Sequence, residues 1–190
     1  LVGSEMCIRD RTKPYFWQTD TAIARNSWCY TVKNEYKSAR SILCDLADIV
    51  SKNGTLLLNV GPKADGTMTP EETAVLLEID SWLNRNGESV YGTRPWRKAM
   101  EGPTKVEEGQ FTDGRDKEFT PADFRFVIKG NRLYATCLNW PDDGQVVITS
   151  MAEADAAKLP VFQGIIRSVD ILGYDGQNVS WHRDEKGLFA

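Results

Sequence analysis

Thr55-Leu-Leu-Leu-Asn-Val-Gly-Pro-Lys-Ala-Asp-Gly66, with the segment behind it, decides how this chain is read. Three consecutive leucines make both faces of the run Thr55 to Val60 apolar. That is the pattern of a strand covered on both sides, and such strands usually run parallel within an α/β layer. Gly61-Pro62 ends the strand, and Ala64-Asp-Gly66 supplies turn residues. Thr69-Pro-Glu-Glu72 has the form of a helix start: Thr69 as N-cap, Pro70 at the first helical position, Glu72 closing a capping box. Val75, Leu76, Ile79, Trp82 and Leu83 keep helical spacing until Gly87 stops the helix. The unit is strand, loop, helix, and the loop at the strand's C-terminal end is where such units place chemistry.

Upstream, Ser38 to Asn53 reads as an amphipathic helix. Ile42, Leu43, Leu46, Ile49 and Val50 form its apolar face, and Arg40, Asp45, Asp48 and Lys52 its outer, solvated one. Asn53-Gly54 turns the helix into the leucine strand, giving the alternation of α/β architecture. Between Lys13 and Tyr30 aromatic residues are dense (Tyr15, Phe16, Trp17, Trp28, Tyr30) around the polar Gln18-Thr-Asp-Thr21. Such rings serve as core, each burying ~150–250 Å², or as a flat platform on which the apolar face of a sugar stacks. Leu1 to Thr12 has neither periodicity nor a cap and reads as a disordered or foreign leader. The chain opens on Leu1 and ends at Lys186-Gly-Leu-Phe-Ala190 in a turn-to-strand transition, which is expected of a piece of a longer protein.

Beyond Tyr91-Gly-Thr-Arg-Pro-Trp96 the texture changes. Ala99 to Thr120, rich in Gly, Glu, Lys and Asp, reads as a linker with a short strand at most. The runs Asp123 to Ile128, Arg132 to Asn139, Gln145 to Thr149, Ile165 to Leu172 and Val179 to His182 are expected as short strands. Lys129-Gly-Asn131, Pro141-Asp-Asp-Gly144 and Tyr174-Asp-Gly176 are the turns between them, a pattern of antiparallel sandwich type. The division falls between an α/β part, residues 13–98, and an all-β part, residues 99–190.

Composition bounds the function. At 41% apolar and 26% charged, the 190 residues have the make-up of an ordinary soluble protein. A net charge of −4 provides no basic surface for nucleic acid or an anionic membrane, and no apolar run approaches the ~20 residues that cross a bilayer. Cys7, Cys29, Cys44 and Cys137 contain no Cys-x-x-Cys pair, and His182 is the only histidine. That argues against a Cys/His metal site, and the scattered thiols are expected as buried small apolar groups.

Trp17-Gln-Thr-Asp-Thr21, Ser27-Trp-Cys-Tyr30, Asp45-Leu-Ala-Asp-Ile-Val-Ser-Lys-Asn-Gly54, Leu56 to Thr67 and Trp82 to Trp96 together resemble the α-L-fucosidases of glycoside hydrolase family 29. Asp123-Phe-Arg-Phe126 and Leu133-Tyr-Ala-Thr-Cys-Leu-Asn-Trp-Pro141 resemble that family's C-terminal domain. The resemblance implies the C-terminal portion of a (β/α) barrel-like catalytic domain followed by an antiparallel β-sandwich. It also implies retaining hydrolysis of terminal α-L-fucose from glycoconjugates or oligosaccharides, by two carboxylates ~5–5.5 Å apart. Both family carboxylates are expected upstream, so no catalytic residue is assigned here and the 190 residues alone are expected to be inactive. Some members carry Glu after the Trp matched by Trp17; here that position is Gln18, an amide that cannot serve as the general acid. Asp20, Asp45, Asp48 and Asp65 are read as structural or solvated.

The substrate contacts implied are Trp28, Trp17 and Asn59. Trp28 matches an aromatic that packs on the methyl face of fucose, where burying one methyl is worth ~0.8 kcal/mol and a hydroxyl would lose its partners. Asn59 ends the barrel strand and orients neighbouring loops. Cys29 stands where the family usually has Gly, and is strained there if the backbone needs a positive φ. The resemblance implies no metal and no organic cofactor, a fucosylated oligosaccharide as partner, neither nucleic acid nor membrane, and a periplasmic, extracellular or lysosomal location. It gives no oligomeric state or linkage preference. The alternative is a non-catalytic carbohydrate-binding or accessory module.

Overall fold

A computed structural model describes residues 12–105, 117–154, 161–176 and 178–190; the leader proposed over residues 1–12 lies, but for Thr12, outside them. Strand β1 (Trp17–Ala22) leads through a long loop to helix α1 (Ala39–Ser51), strand β2 (Gly54–Asn59) and helix α2 (Pro70–Asn86). β1 and β2 pair in parallel, from Trp17 opposite Gly54 to Ala22 opposite Asn59, with α1 as their crossover. The caps are those the residues prescribe. The Ser38 hydroxyl accepts from the Ser41 amide, Thr69 accepts from the Glu72 amide at 3.1 Å, and Asn53 leaves α1 with a φ of 73°, the left-handed turn that asparagine tolerates. One expectation fails. Glu72 does not complete a capping box, because its carboxylate turns to Gly61 instead. Gly87 does stop α2, as its C-cap, but right-handed at φ −58°, and the chain runs on into a 3₁₀ turn at Gly87–Ser89.

Apolar packing gathers Ile23, Ala39, Ile42 and Ile79 into a core, with Leu56, Leu58 and Val60 from β2 and Val75, Leu76 and Leu83 from α2 around it. Leucines at two-residue spacing thus face the helices, as a pleated strand requires. Leu57 points the other way and is 54% exposed, so among the described residues only one face of β2 is covered, not both.

Most of the charged side of α1 is not solvated either, although Arg40 stays exposed. Asp48 and Lys52 are each 1% exposed, because strand β4 (Phe124–Lys129) crosses that side. The Asp48 carboxylate accepts from Lys52 Nζ at 2.6 Å and from the Arg125 guanidinium, and Arg125 also donates to the Phe124 carbonyl. Asp45 pairs with Lys117 at 2.7 Å, and Arg40 donates to the Leu138 carbonyl and the Asn139 side chain. Cys44, Ala47, Phe119 and Leu138 close the seam. A solvated polar face and one facing a second layer of ion pairs carry the same periodicity, so hydropathy could not separate them.

The remaining strands are β3 (Arg94–Glu101), β5 (Arg132–Cys137), β6 (Val147–Ile148), β7 (His182–Arg183) and β8 (Leu188–Phe189). They form two antiparallel sheets, ordered β3-β4-β5 and β6-β8-β7, packed as a sandwich. Phe124, Phe126, Val146, Ile148, Met151 and Leu188 fill the space between, with Trp96, Phe162 and Trp181 against them. Trp96 meets Phe126 edge-on at 5.3 Å, a favoured aromatic geometry.

The stretch taken as linker begins inside β3, which pairs with β4 around an irregularity between Pro95 and Met100. Proline is tolerated because β3 is an edge strand. Glu101 is buried because its two oxygens accept from the Thr149 and Ser150 amides, both at 2.8 Å. Nor does Ile165 to Leu172 form a strand. Ile165 is 89% exposed, and Arg183 reaches across to the carbonyls of Ala152, Phe162 and Gly164, so side-chain bonds do there what a strand ladder does elsewhere.

Candidate functional site

β1 and β2 end level with one another, so both following loops rise from the same C-terminal edge. Loop 23–37 is closed at its base by Lys37 N donating to the Ile23 carbonyl at 2.9 Å, by Arg25 N to the Glu35 carbonyl at 2.7 Å, and by a bridge between Ala24 and Tyr36. Asn26 ties it higher up, donating to the Lys33 carbonyl and accepting from the Glu35 amide. Near the tip Asn34 accepts from the Thr31 hydroxyl and donates to the Cys29 carbonyl. Trp28 and Tyr30 stand at that tip, 49% and 37% exposed.

Loop 60–69 supports the first from the side. Asn59 Nδ2 donates to the Trp28 carbonyl at 2.8 Å, so the last residue of β2 fixes the backbone that carries the indole. A Cβ on Gly61 would lie 3.0 Å from the Tyr30 amide nitrogen and 3.1 Å from the Cys29 carbonyl carbon; only glycine lets the two loops come this close without displacement. The Thr69 hydroxyl donates to Tyr36 Oη at 3.1 Å, and Lys63 Nζ lies 6.0 Å from the Tyr30 ring centre. Asp65 accepts from both the hydroxyl and the amide of Thr67. Those bonds, the hydroxyl's first, hold its carboxyl below the usual carboxylate range. It is an exposed turn residue.

Of the three proposed contacts, Trp28 and Asn59 are brought together and Trp17 is not. Trp17 opens β1, five strand steps or roughly 16 Å from the other end. Its indole N–H donates to the Lys52 carbonyl at 3.0 Å, and its ring covers Gly54 so closely that a Cβ there would come within 2.6 Å. Gln18 and Asp20 alternate with the buried Thr19 and Thr21, so they share the strand face of Leu57.

The strain expected at Cys29 is absent. Among the described residues Asn53 alone has a positive φ without being glycine, and the Cys29 amide donates to the Ser27 hydroxyl. Its thiol is exposed rather than buried. Cys44 is the buried thiol of that reading, pushed up by burial to about 11, and Cys7 lies outside the described residues.

Sequence reasoning passed over Gly61, Tyr36 and Glu72 as parts of this site. Glu72 carried a signal, but one that the capping box explained locally.

Residues 2–88 match the family described as Alpha-L-fucosidase, and residues 117–190 match the Alpha-L-fucosidase C-terminal domain. Tissue alpha-L-fucosidase of Homo sapiens is 29% identical over 196 residues, covering 98% of this chain and 36% of the relative. Plasma alpha-L-fucosidase of Homo sapiens is 30% identical over 138 residues, 71% of this chain and 26% of the relative. Among solved structures, the Thermotoga maritima alpha-fucosidase in complex with fucose superposes with a TM-score of 0.69 at 28% identity, covering 95% of this chain and 36% of that one. Alpha-L-fucosidase isoenzyme 1 of Paenibacillus thiaminolyticus, at 23% identity and TM-score 0.70 over 98% of this chain and 39% of its own, shares the fold. The chain thus spans between about a quarter and two fifths of the length of these relatives.

Proposed function

Because this chain belongs to the α-L-fucosidase family, we propose that it is part of a retaining glycosidase that removes terminal α-L-fucose from oligosaccharides or glycoconjugates. In this reading the α/β part, placed at residues 13–98, is the C-terminal part of the catalytic barrel and residues 99–190 are its sandwich, whose first strand, β3, already starts at Arg94. The observation that carries it is the half-exposed Trp28, held by Asn59 above the C-terminal edge of a parallel strand pair, the edge at which barrels of this kind react. The flat indole faces the apolar side of the sugar, and the C6 methyl gains ~0.8 kcal/mol from burial there. A fucose-bound structure among the similar proteins supports the same ligand class. Trp17, at the opposite strand end, anchors β1 to β2 and acts on the pocket only through that packing.

Retaining hydrolysis requires two carboxylates ~5–5.5 Å apart, one attacking the anomeric carbon and one first protonating the leaving oxygen and then activating water. Those acids come from outside these 190 residues; this chain provides a wall of the pocket. The test is hydrolysis of an aryl α-L-fucoside, by the full-length gene product that contains the chain and by the 190 residues alone. The full-length product is expected to release fucose with retained configuration, and the isolated chain none. Turnover by the isolated chain overturns the assignment of the acids. Fucose binding without hydrolysis by the full-length product moves the reading to an accessory carbohydrate-binding module.

A further inference from the structure

We propose that Glu72 is a positioning residue for the Trp28 platform, an inference that rests on the reading of Trp28 as a fucose contact. Glu72 is 0% exposed, in the first turn of α2. A glutamate at that place ordinarily reaches back to its own N-cap. Here Oε1 accepts from the Gly61 amide at 2.9 Å, eleven residues upstream. Oε2 is buried and has no hydrogen-bond partner among the described residues. A buried carboxylate is costly to keep, and what this one holds is one specific backbone N–H.

That N–H belongs to the residue on which the tip rests. Gly61 lies under the Cys29–Tyr30 backbone, and Asn59, two residues before it, grips the Trp28 carbonyl. The order of contacts is Glu72 to Gly61, Gly61 to Cys29 and Tyr30, and from there to the indole. The helix N-terminus adds its positive end to the carboxylate. Without the acceptor, the Gly61 amide is buried and unpaired, and the loop has a reason to shift. A displacement of about 1 Å in a positioned group can cost on the order of a hundredfold.

The experiment is a double-variant cycle in the full-length enzyme, read as the inhibition constant of L-fucose. Trp28→Ala is expected to weaken fucose about tenfold, because the whole indole face is lost and not only its contact with one methyl. Glu72→Leu is expected to weaken it similarly, and the double variant by no more than the larger single effect, because both remove the same contact. Glu72→Gln keeps an acceptor oxygen for Gly61 and is expected to stay within about threefold of the parent. Additive losses, or a Glu72→Leu enzyme with unchanged fucose affinity, overturn the positioning role while leaving the Trp28 reading intact. An unchanged constant for Trp28→Ala overturns that reading, and this inference with it. Should Glu72→Leu not fold, Gly61→Ala presses on the same backbone from below and enters the cycle in its place, with additivity again the overturning result.

Discussion

Asn59 closes β2 and spends its side-chain amide on the Trp28 carbonyl. Asn59→Asp keeps the shape but sets a carboxylate oxygen against that carbonyl. On the proposed fucosidase reading, the KM of the full-length product for an aryl α-L-fucoside is expected to rise about five- to tenfold, the range of one lost hydrogen bond; an unchanged KM would remove Asn59 from the proposed site. Cys44 makes a different residue-level prediction. Burial raises its thiol from 9.0 to about 11, so between those values the unfolded chain has lost a proton that the folded one keeps. The stabilisation is complete below about pH 9 and declines as pH rises, at about 1.4 kcal/mol per pH unit. Urea unfolding from about pH 8 to 11 should show that decline in the parent, and a shallower one in Cys44→Ala.

Among the elements, α1 carries the most. One face packs on β2 and α2, and the other meets β4 through Asp48, Lys52 and Arg125. Burial lowers the Lys52 ammonium, and Asp48 works against that shift. Removing one member of a buried ionic group leaves the others uncompensated, typically at about 3–5 kcal/mol. Asp48→Leu strands two cations, whereas Arg125→Met leaves the Lys52–Asp48 pair whole. Asp48→Leu is therefore expected to be the more destabilising, as read from denaturant midpoints, and the reverse order would show that Arg125 rather than Asp48 organises the seam. Strand β3 makes the complementary point. Its polar residues and its proline concealed it, because Glu101 is satisfied by amides about fifty residues away, beyond the reach of any local pattern.

For the whole molecule, β1 and β2 leave Gln18, Asp20 and Leu57 on a face that no described element covers. Among the described residues both strands of this pair are also sheet edges, and unpaired edges are prone to association. Expressed alone, the 190 residues are expected to aggregate or to remain partly unfolded in the first half, as size-exclusion chromatography and hydrogen exchange would show; a monomer with uniformly protected β1 and β2 amides would refute this. The helix N-caps, the parallel strand pair and the change to short antiparallel strands were legible in the amino-acid sequence. Each depends on near neighbours: periodicity, capping side chains or turn residues. Tertiary structure alone decided that Asp48 and Lys52 on the polar side of α1 are buried, that Glu72 serves Gly61 rather than its own helix, and that Trp17 stands at the opposite end of the strand pair from Asn59. In each case the partner is distant in sequence or direction, and hydropathy records how polar a side chain is, not what it meets.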